Sequence, residues 1–188
     1  MKEASKRAAA ESDTASAKLV KAKSDALRFL SFKPRSVKEL EEKLRRKRYN
    51  SDLIGKVVEQ LKRQGLLDDE KFGRLMAHSR VHTRPMSKKR LEFDLERKGL
   101  SKETVQKSLE SLGDYDERKT ARDLAFGRFQ KMTGLSDEKK KARLFGFLRR
   151  RGFSTETIFS VLSELFFATE RGGSAFGGKE KWQDHDDG

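Results

Sequence analysis

The sequence predicts an all-helical protein built from three tandem three-helix repeats. Charged residues make up 39% of the 188 residues and proline occurs only twice, a composition that favours surface-rich helices. Apolar residues recur at helical spacing in three blocks that can be aligned. Because helical repeats bury little surface alone and stack on their neighbours, we expect an elongated, curved array.

The three blocks align without a gap, and each opens on two leucines that share one helix face. These pairs are Leu40 and Leu44, Leu91 and Leu95, and Leu144 and Leu148. The blocks read LEEKLRRKRYNSDLIGKVVEQL, LEFDLERKGLSKETVQKSLESL and LFGFLRRRGFSTETIFSVLSEL. The second leucine recurs after 51 and then 53 residues, so we interpret the pattern as an internal triplication with insertions confined to loops.

The middle helix of each repeat opens its block, and both of its ends carry signals. The serines expected to cap its N-terminus are Ser36, Ser87 and Ser136. Pro34 and Pro85 precede two of these caps, where a helix must end. The position expected to adopt a positive φ at the C-terminus, which favours glycine, holds Arg48, Gly99 and Gly152.

The third helix follows a short corner in each repeat. The bulky residues expected to fill the corner are Tyr49, Leu100 and Phe153, and the polar N-caps are Asn50, Ser101 and Ser154. The predicted buried face holds Ile54, Val58 and Leu61, then Val105, Leu109 and Leu112, then Ile158, Leu162 and Leu165. Another apolar helix lies upstream of each block, and it is marked by Ala26 to Phe32, then Phe72, Leu75, Met76 and Ser79, then Ala121, Leu124, Ala125 and Phe129.

The chain also has two ends that lack this pattern. The predicted boundaries of the repeats are 23–66, 67–113 and 114–168. Residues 1–22 have little apolar periodicity, and we expect a flexible leader because ordering them would cost more conformational entropy than their burial returns. Residues 169–188 are rich in glycine and charge, with isolated Phe176 and Trp182, so we expect a disordered tail.

The net charge of +14 comes from the centre of the chain. Lys and Arg number 44 against 30 Asp and Glu, while residues 1–22 and 169–188 contribute +2 and −2 and cancel. Such an excess attracts polyphosphate, anionic lipid or an acidic protein surface, and the composition does not choose among them.

The absence of cysteine excludes disulfides, thiolate zinc sites and cysteine nucleophiles, and it fits a reducing compartment. No apolar run approaches the length of a membrane span, and the first residues lack an apolar signal core. We therefore expect a cytoplasmic protein without a membrane partner.

Basic clusters at the ends of helices are the candidate binding residues. The helix-end clusters, which close the middle helices, are Arg45, Arg46, Lys47 and Arg48, then Arg97 and Lys98, then Arg149, Arg150 and Arg151. Cations there also suit the helix dipole, so a purely structural role stays open. The first-turn clusters are Lys88, Lys89 and Arg90, and Lys139, Lys140 and Lys141. Positive charge in a first turn opposes the dipole, which favours an anion-binding function.

Residues that could carry chemistry are few. His78 and His82 share a helix face, but no third metal ligand is obvious, so we favour a solvent-facing pair. The acidic groups at 68–70 and 114–117 open helices, where carboxylates cap the N-terminus. The sequence contains no phosphate-binding loop, dinucleotide fingerprint or nucleophile elbow. We therefore expect a protein that is not an enzyme and that uses no metal or cofactor.

Four segments of the repeats carry a family resemblance. They are Ala26-Leu-Arg-Phe-Leu, Ser36-Val-Lys-Glu-Leu-Glu-Glu-Lys-Leu, Gly65-Leu-Leu-Asp-Asp-Glu-Lys-Phe and Arg149-Arg-Arg-Gly-Phe-Ser. Together with the ordered triplication they resemble the RecX family of bacterial regulatory proteins over residues 24–167. Two residues depart from the family pattern: Gly73 stands where alanine is common, and Arg48 replaces the corner glycine. Both departures are expected to loosen helices locally.

The resemblance implies a modulator of the RecA recombinase. Family members bind the RecA–DNA filament in its helical groove and usually inhibit its recombinase, ATPase and coprotease activities. The partners implied are RecA, its filament and the DNA backbone, and the implied processes are homologous recombination, DNA repair and the SOS response. We expect the protein to act as a monomer.

Two other functions stay open. An autonomous nucleic-acid-binding protein would use the basic clusters to grip the phosphate backbone, although most phenylalanines fall on predicted buried faces and leave few for base stacking. A metal-dependent enzyme using His78 and His82 is a more distant alternative. Sequence-specific operator binding is disfavoured, because Glu103 and Glu156 lie early in the third helices and would repel phosphates.

Overall fold

The computed structural model describes residues 2–170, with side chains from 16 to 167, and this part of the chain contains nine α-helices and no strand. The helices are α1 (Lys2–Phe32), α2 (Val37–Arg46), α3 (Ser51–Arg63), α4 (Asp69–Thr83), α5 (Lys88–Arg97), α6 (Lys102–Glu110), α7 (Glu117–Gln130), α8 (Asp137–Arg150) and α9 (Thr155–Glu170). Three successive helices form each repeat. The all-helical class and the three tandem repeats are therefore confirmed, and the curvature of the array stays a prediction.

The helices form two compact units. The first unit, Met1–Tyr115, contains repeats one and two, and the second unit, Asp116–Gly188, contains repeat three. Each repeat has a hydrophobic core of its own. The paired leucines of the three middle helices lie in these cores and are at most 1% exposed, as the ungapped alignment predicts.

Helix α1 runs through the segment expected to be a leader, because it begins at Lys2. Ala22 is fully buried, and Leu19 packs against the core of repeat one. The apolar face of repeat one therefore begins before the expected boundary at residue 23. The flexibility expected of the leader stays a prediction, and the expected tail lies outside the described residues from position 171 onward.

The predicted buried faces of the third helices are largely confirmed. The residues buried as predicted are Ile54, Val58 and Leu61 in α3, Val105 in α6, and Ile158, Leu162 and Leu165 in α9. Helix α6 is short and ends at Glu110, so Leu112 lies beyond it and is only half-buried, as is Leu109. Ser108 takes a fully buried place on this face instead.

The first helices are confirmed, but several positions of their apolar pattern lie at the surface. Phe32 and Leu75 are 78% and 59% exposed, and Ser79 is exposed as well. Helix α4 instead buries the face that contains Gly73 and Ala77. Because these residues are small, α6 can pack close to this face, and the larger residue Leu75 lies on the exposed face.

Gly73 has a packing role that its helix propensity does not reveal. A Cβ atom added at Gly73 would lie 2.8 Å from Leu100 Cδ2, and it would collide with Ser108 Oγ. Ser108 is held in place, because its hydroxyl donates a hydrogen bond of 2.7 Å to the carbonyl oxygen of Thr104. The missing side chain at position 73 therefore permits the close packing of α4 against α6.

The three corners share the predicted backbone geometry. Arg48 has a φ of 64°, and Gly99 and Gly152 each have a φ of 87°. The next N–H donates to a carbonyl oxygen five residues back in each case, from Tyr49 to Leu44, from Leu100 to Leu95 and from Phe153 to Leu148, at 3.3, 3.5 and 3.3 Å. This is the Schellman motif that ends a helix. Within the described residues only Arg48 adopts a positive φ without being glycine.

The predicted N-caps are confirmed with one exception. Cap side chains that accept a backbone N–H are Ser36, Asn50, Ser87, Ser101 and Ser154. Ser136 occupies the cap position of α8 but accepts no such bond. Helix α8 has 14 residues against 10 in α2 and α5, so the extra turn of repeat three lies within a helix. The expectation that insertions are confined to loops is therefore wrong.

Candidate partner-binding surface

The cluster Lys88–Arg90 occupies the first turn of α5 as predicted. Lys88 is the first helical residue, and the first turn contains no acidic residue. Arg90 forms an ion pair of 3.4 Å with Asp94, one turn further along the helix. Lys89 is exposed and faces no carboxylate in the described part of the chain. Its charge opposes the helix dipole without local compensation.

The cluster Lys139–Lys141 differs from its counterpart, because two acids precede it in α8. Asp137 and Glu138 open the helix after Ser136, and Lys140 Nζ lies 3.1 Å from Asp137 Oδ1. The two carboxylates offset part of the positive charge that this cluster places near the start of the helix. Two of its ammonium groups instead lie over aromatic rings, Lys140 over Phe129 at 5.1 Å and Lys141 over Phe166 at 4.7 Å. Lys139 is exposed.

The helix-end cluster of repeat one is partly committed to local contacts. Arg45 pairs with Glu41 at 3.0 Å, and Lys47 pairs with Asp25 at 3.2 Å. Tyr49 Oη also donates to Asp25 at 2.8 Å, and this hydrogen bond, helped by the charge of Lys47, lowers the pKa of that carboxyl below its usual value. The remaining two cations, Arg46 and Arg48, are exposed and pair with no carboxylate among the described residues.

Lys98 is a structural residue at the junction of repeats one and two. Its ammonium lies 2.5 Å from Glu39 Oε1, and its carbonyl accepts a 2.6 Å hydrogen bond from the hydroxyl of Ser36. Burial alone would raise the pKa of Glu39, but the hydrogen bond and charge of Lys98, with the Ser36 N–H, bring that pKa below its usual value. Lys98 therefore contributes less to a binding surface than the sequence suggested.

A second carboxylate closes the same junction from α4. Asp69 Oδ1 accepts a 2.9 Å hydrogen bond from the N–H of Val37, at the start of α2. Burial raises the pKa of Asp69, because desolvation disfavours the charged form. The N-terminus of α2 thus meets side chains from both α4 and the end of α5, which fixes repeat one against repeat two.

The helix-end cluster of repeat three contacts a hydroxyl group and an aromatic ring. Arg149 Nη1 donates to the hydroxyl of Thr155 at 3.3 Å, and Arg150 is exposed with no carboxylate partner in the region that the structure describes. The guanidinium of Arg151 lies 5.2 Å from the centre of the Phe147 ring. Arg128, on α7, lies over the same ring at 4.6 Å.

Phenylalanine rings flanked by arginines are a feature that the sequence analysis missed. Phe93 is 49% exposed, with Arg90 and Arg97 at 5.5 and 5.7 Å from its centre. The spacing of these residues, three before and four after the ring, places all of them on one face of α5, and it could have been found in the sequence. An arginine-flanked exposed ring offers both charge and an apolar plane to a partner.

The residues considered for chemistry have local roles. The side chain of Asp68 accepts hydrogen bonds from the N–H groups of Glu70 and Lys71 at 2.9 and 3.0 Å. The bond from Lys71 is the main cause that lowers the pKa of Asp68 below its usual value. Asp116 accepts a hydrogen bond from the N–H of Lys119 at 2.9 Å. These contacts confirm the predicted capping role.

The histidine pair lies on the surface of α4. His78 and His82 are exposed, and His82 Nδ1 lies 2.7 Å from the carbonyl oxygen of His78. Within residues 16–167 no group of three or more potential ligands could hold a metal ion. Nor does any helix in the described range have the length and apolar character needed to cross a membrane.

Comparison with known families and proteins gives consistent matches. Three family models of RecX match this chain. The model of the first three-helix domain matches residues 22–61, that of the second matches residues 68–109, and that of the third matches residues 115–162. The regulatory protein RecX of Chlorobium phaeobacteroides (strain BS1) is 34% identical over 141 residues, which cover 75% of this chain and 91% of that protein. The regulatory protein RecX of Mycolicibacterium smegmatis is 32% identical over 154 residues, covering 80% and 81%.

Solved structures show the same fold. The crystal structure of RecX from Lactobacillus salivarius superposes with a TM-score of 0.67 at 23% identity, and it covers 81% of this chain and 99% of that one. A second crystal structure, of a regulatory protein RecX, also gives a TM-score of 0.67, at 18% identity. The three RecX family models match one after another along the chain, in the order of the three repeats that the leucine pattern predicts.

Proposed function

The chain belongs to the RecX family of regulatory proteins, and on that premise we propose that it is a non-enzymatic inhibitor of the RecA recombinase. It binds the RecA–DNA filament in its groove and alters filament growth, ATP hydrolysis and coprotease activity. It thereby regulates recombination and DNA repair. We further propose that it acts in the cytoplasm as a monomer.

The observation that carries this proposal is the set of exposed cations that form no ion pair among the described residues. Within the described residues, the basic side chains of the clusters that are exposed and face no carboxylate are Arg46, Arg48, Lys89, Arg97, Lys139, Arg149 and Arg150. We assign partner and DNA contacts to these residues. Phosphates attract such charges, and acidic protein surfaces do the same.

The paired members of the clusters have a different role. Ion pairs within the protein are formed by Arg45, Lys47, Arg90, Lys98 and Lys140. The pairs of Lys47 and Lys98 join different helices and help to position them, whereas the others lie within one helix. We therefore rank the paired residues below the exposed ones as direct contacts.

The test is ATP hydrolysis by the cognate RecA on single-stranded DNA with added protein. The wild-type chain is expected to lower the rate, and Lys89→Glu combined with Lys139→Glu is expected to weaken this effect. Lys56→Glu is the matched control, because Lys56 is also exposed but lies outside the clusters on α3. An unchanged rate at saturating wild-type protein would refute the proposal.

Autonomous binding to single-stranded nucleic acid is the second candidate, and Phe93 favours it. A half-exposed ring between two arginines suits base stacking together with phosphate contact. Steeply salt-dependent binding to bare DNA, with no effect on RecA, would support this candidate instead. Loss of each phosphate contact is expected to reduce the salt slope by about 1.

A further inference from the structure

The second unit contains an open apolar groove between α8 and α9. Its volume is about 530 Å³, and its lining is mostly aromatic and aliphatic: Lys141, Phe145, Phe159, Leu162, Phe166 and Phe167. Phe159 and Phe167 are 58% and 55% exposed. Together with Phe145 and Phe166 these rings form one contiguous apolar surface, and such a patch is typical of an interaction site.

The two ends of the groove differ in charge. At one end the rings of Phe145 and Phe159 lie 5.6 Å apart. At the other end Lys141 Nζ lies over the Phe166 ring, and the rest of the cluster Lys139–Lys141 follows directly along α8. Helix α9 continues past Phe167 to Glu170 at this same basic end. An occupant that is aromatic and acidic would match both properties.

Residues 171–188 carry four acids against three cations, and the three cations all precede the tryptophan. Trp182 is the single tryptophan of the chain, and three acids follow it closely, Asp184, Asp186 and Asp187. We propose that Trp182 docks in the groove between α8 and α9, and that the three aspartates pair with the cluster Lys139–Lys141. The segment thus covers the apolar rings and neutralises the basic end of its own groove.

The chain is long enough for this contact. Eleven residues separate Glu170 from Trp182, and they can span up to about 36 Å when extended. Along α9 the groove from Phe167 to Phe159 measures about 12 Å, from eight residues at about 1.5 Å each.

Tethering favours this occupant over others. The segment begins at the end of a helix that forms one wall of the groove, so its effective concentration there is in the millimolar range, at roughly 1 mM or above. An aromatic segment of another protein, or of a second copy, would have to exceed this local concentration.

Docking of the segment would regulate the surface proposed above. Asp184, Asp186 and Asp187 would occupy Lys139, a cation that we assign to partner contacts, and an acidic partner or a phosphate would have to displace them. This consequence rests on the proposed function. The docking itself does not, because it can be measured without RecA or DNA.

The fluorescence of Trp182 in the full-length protein tests the docking directly. In the wild-type chain we expect a blue-shifted emission maximum and weak quenching by acrylamide, compared with a synthetic peptide of residues 171–188. Phe159→Ser should shift the emission to longer wavelength and increase quenching. Because Phe159 is mostly exposed, this substitution should leave the helical circular dichroism unchanged, and Phe93→Ser in the first unit is its matched control.

The charge part of the proposal has a separate test. Replacing the three aspartates together (Asp184→Asn, Asp186→Asn, Asp187→Asn) should also expose Trp182, whereas Glu180→Gln should not. The docking is overturned if the wild-type emission equals that of the peptide, or if neither Phe159→Ser nor the triple replacement changes it. Shielding that disappears on dilution would also overturn it, since that result means docking between two copies.

Discussion

The two units of the molecule use different contacts around the same helical scaffold. In the first unit, repeats one and two are joined by polar contacts that converge on the start of α2, from Asp69, Lys98 and Glu39. In the second unit, aromatic rings dominate: Phe129 and Phe166 meet edge to face at 5.3 Å, and lysines lie over both rings. Equivalent positions of a repeat therefore do not have equivalent roles.

This difference explains why the basic clusters cannot be ranked by sequence position alone. Lys98 closes a helix as predicted, yet it belongs to the junction of the first unit. Lys140 and Lys141 follow a serine cap position as predicted, yet they cover rings in the second unit. The substitutions below separate the two kinds of contact, beginning with the largest expected effect.

Gly73→Leu should destabilise the first unit by about 3 kcal/mol, because the side chain would overpack the contact of α4 with α6. Gly127→Leu, on the first helix of the second unit, is the control, since no atom lies near its missing Cβ. It should be neutral or stabilise the helix by up to about 1 kcal/mol. Urea denaturation measures both, and equal effects would show that Gly73 is not the tight position.

Lys98→Met should destabilise the first unit by about 1–2 kcal/mol, because it leaves the Glu39 carboxylate without its partner. The cost stays below that of a fully buried pair, since the side chain of Lys98 is 33% exposed. The matched substitution in the second unit is Arg118→Met. The ion pair of Arg118 with Glu164 is more exposed, so it should contribute less than about 1 kcal/mol to the free energy of unfolding. Double-mutant cycles with Glu39→Gln and Glu164→Gln would measure each coupling, and a larger coupling in the second unit would reverse the comparison.

Substitutions at the corners should have opposite signs in the two units. Arg48→Gly should stabilise repeat one by about 1 kcal/mol, because glycine accepts the positive φ without strain, whereas Gly152→Ala should destabilise repeat three by a similar amount. Thermal unfolding detects both changes. A loss of stability with Arg48→Gly would mean that the Arg48 side chain contributes more than its backbone strain costs.

Acid should weaken the first unit. The pKa values of Glu39, Asp25 and Asp68 are lowered by folding, so their stabilisation is present above the pKa of the unfolded chain and is lost as pH falls through the folded-state pKa. Asp69, whose pKa is raised, opposes this trend, because its contribution is lost as pH rises. Residue-resolved hydrogen exchange, measured at neutral pH and at pH values below the usual carboxylate pKa, gives the net effect of these groups on stability. Loss of protection in α2 should accompany protonation, and unchanged protection there would contradict the prediction.

The repeat architecture could be predicted from the sequence because its signals are local. The leucine pairs, the polar caps and the positive-φ corners each depend on a few neighbouring residues, and the structure confirms them. Arg48 shows the strength of the pattern: alignment with Gly99 and Gly152 predicts its unusual backbone although its residue type does not.

The errors arise where a residue depends on contacts distant in sequence. Leu75 has the spacing of a buried residue, but the approach of α6 to Gly73 selects a different face of α4. The partner of Lys98 lies 59 residues away, so no local pattern could reveal it. The binding roles of the exposed cations stay predictions.

The bond from Ser36 Oγ to the carbonyl of Lys98 joins groups 62 residues apart in the chain. During synthesis on a ribosome, residue 36 emerges long before its acceptor exists. At roughly 5–20 residues per second, that interval lasts about 3–12 s. During this interval the second helix of repeat one lacks its contact with Lys98. The nascent chain should therefore become resistant to proteases in a single late step, after repeat two has left the exit tunnel.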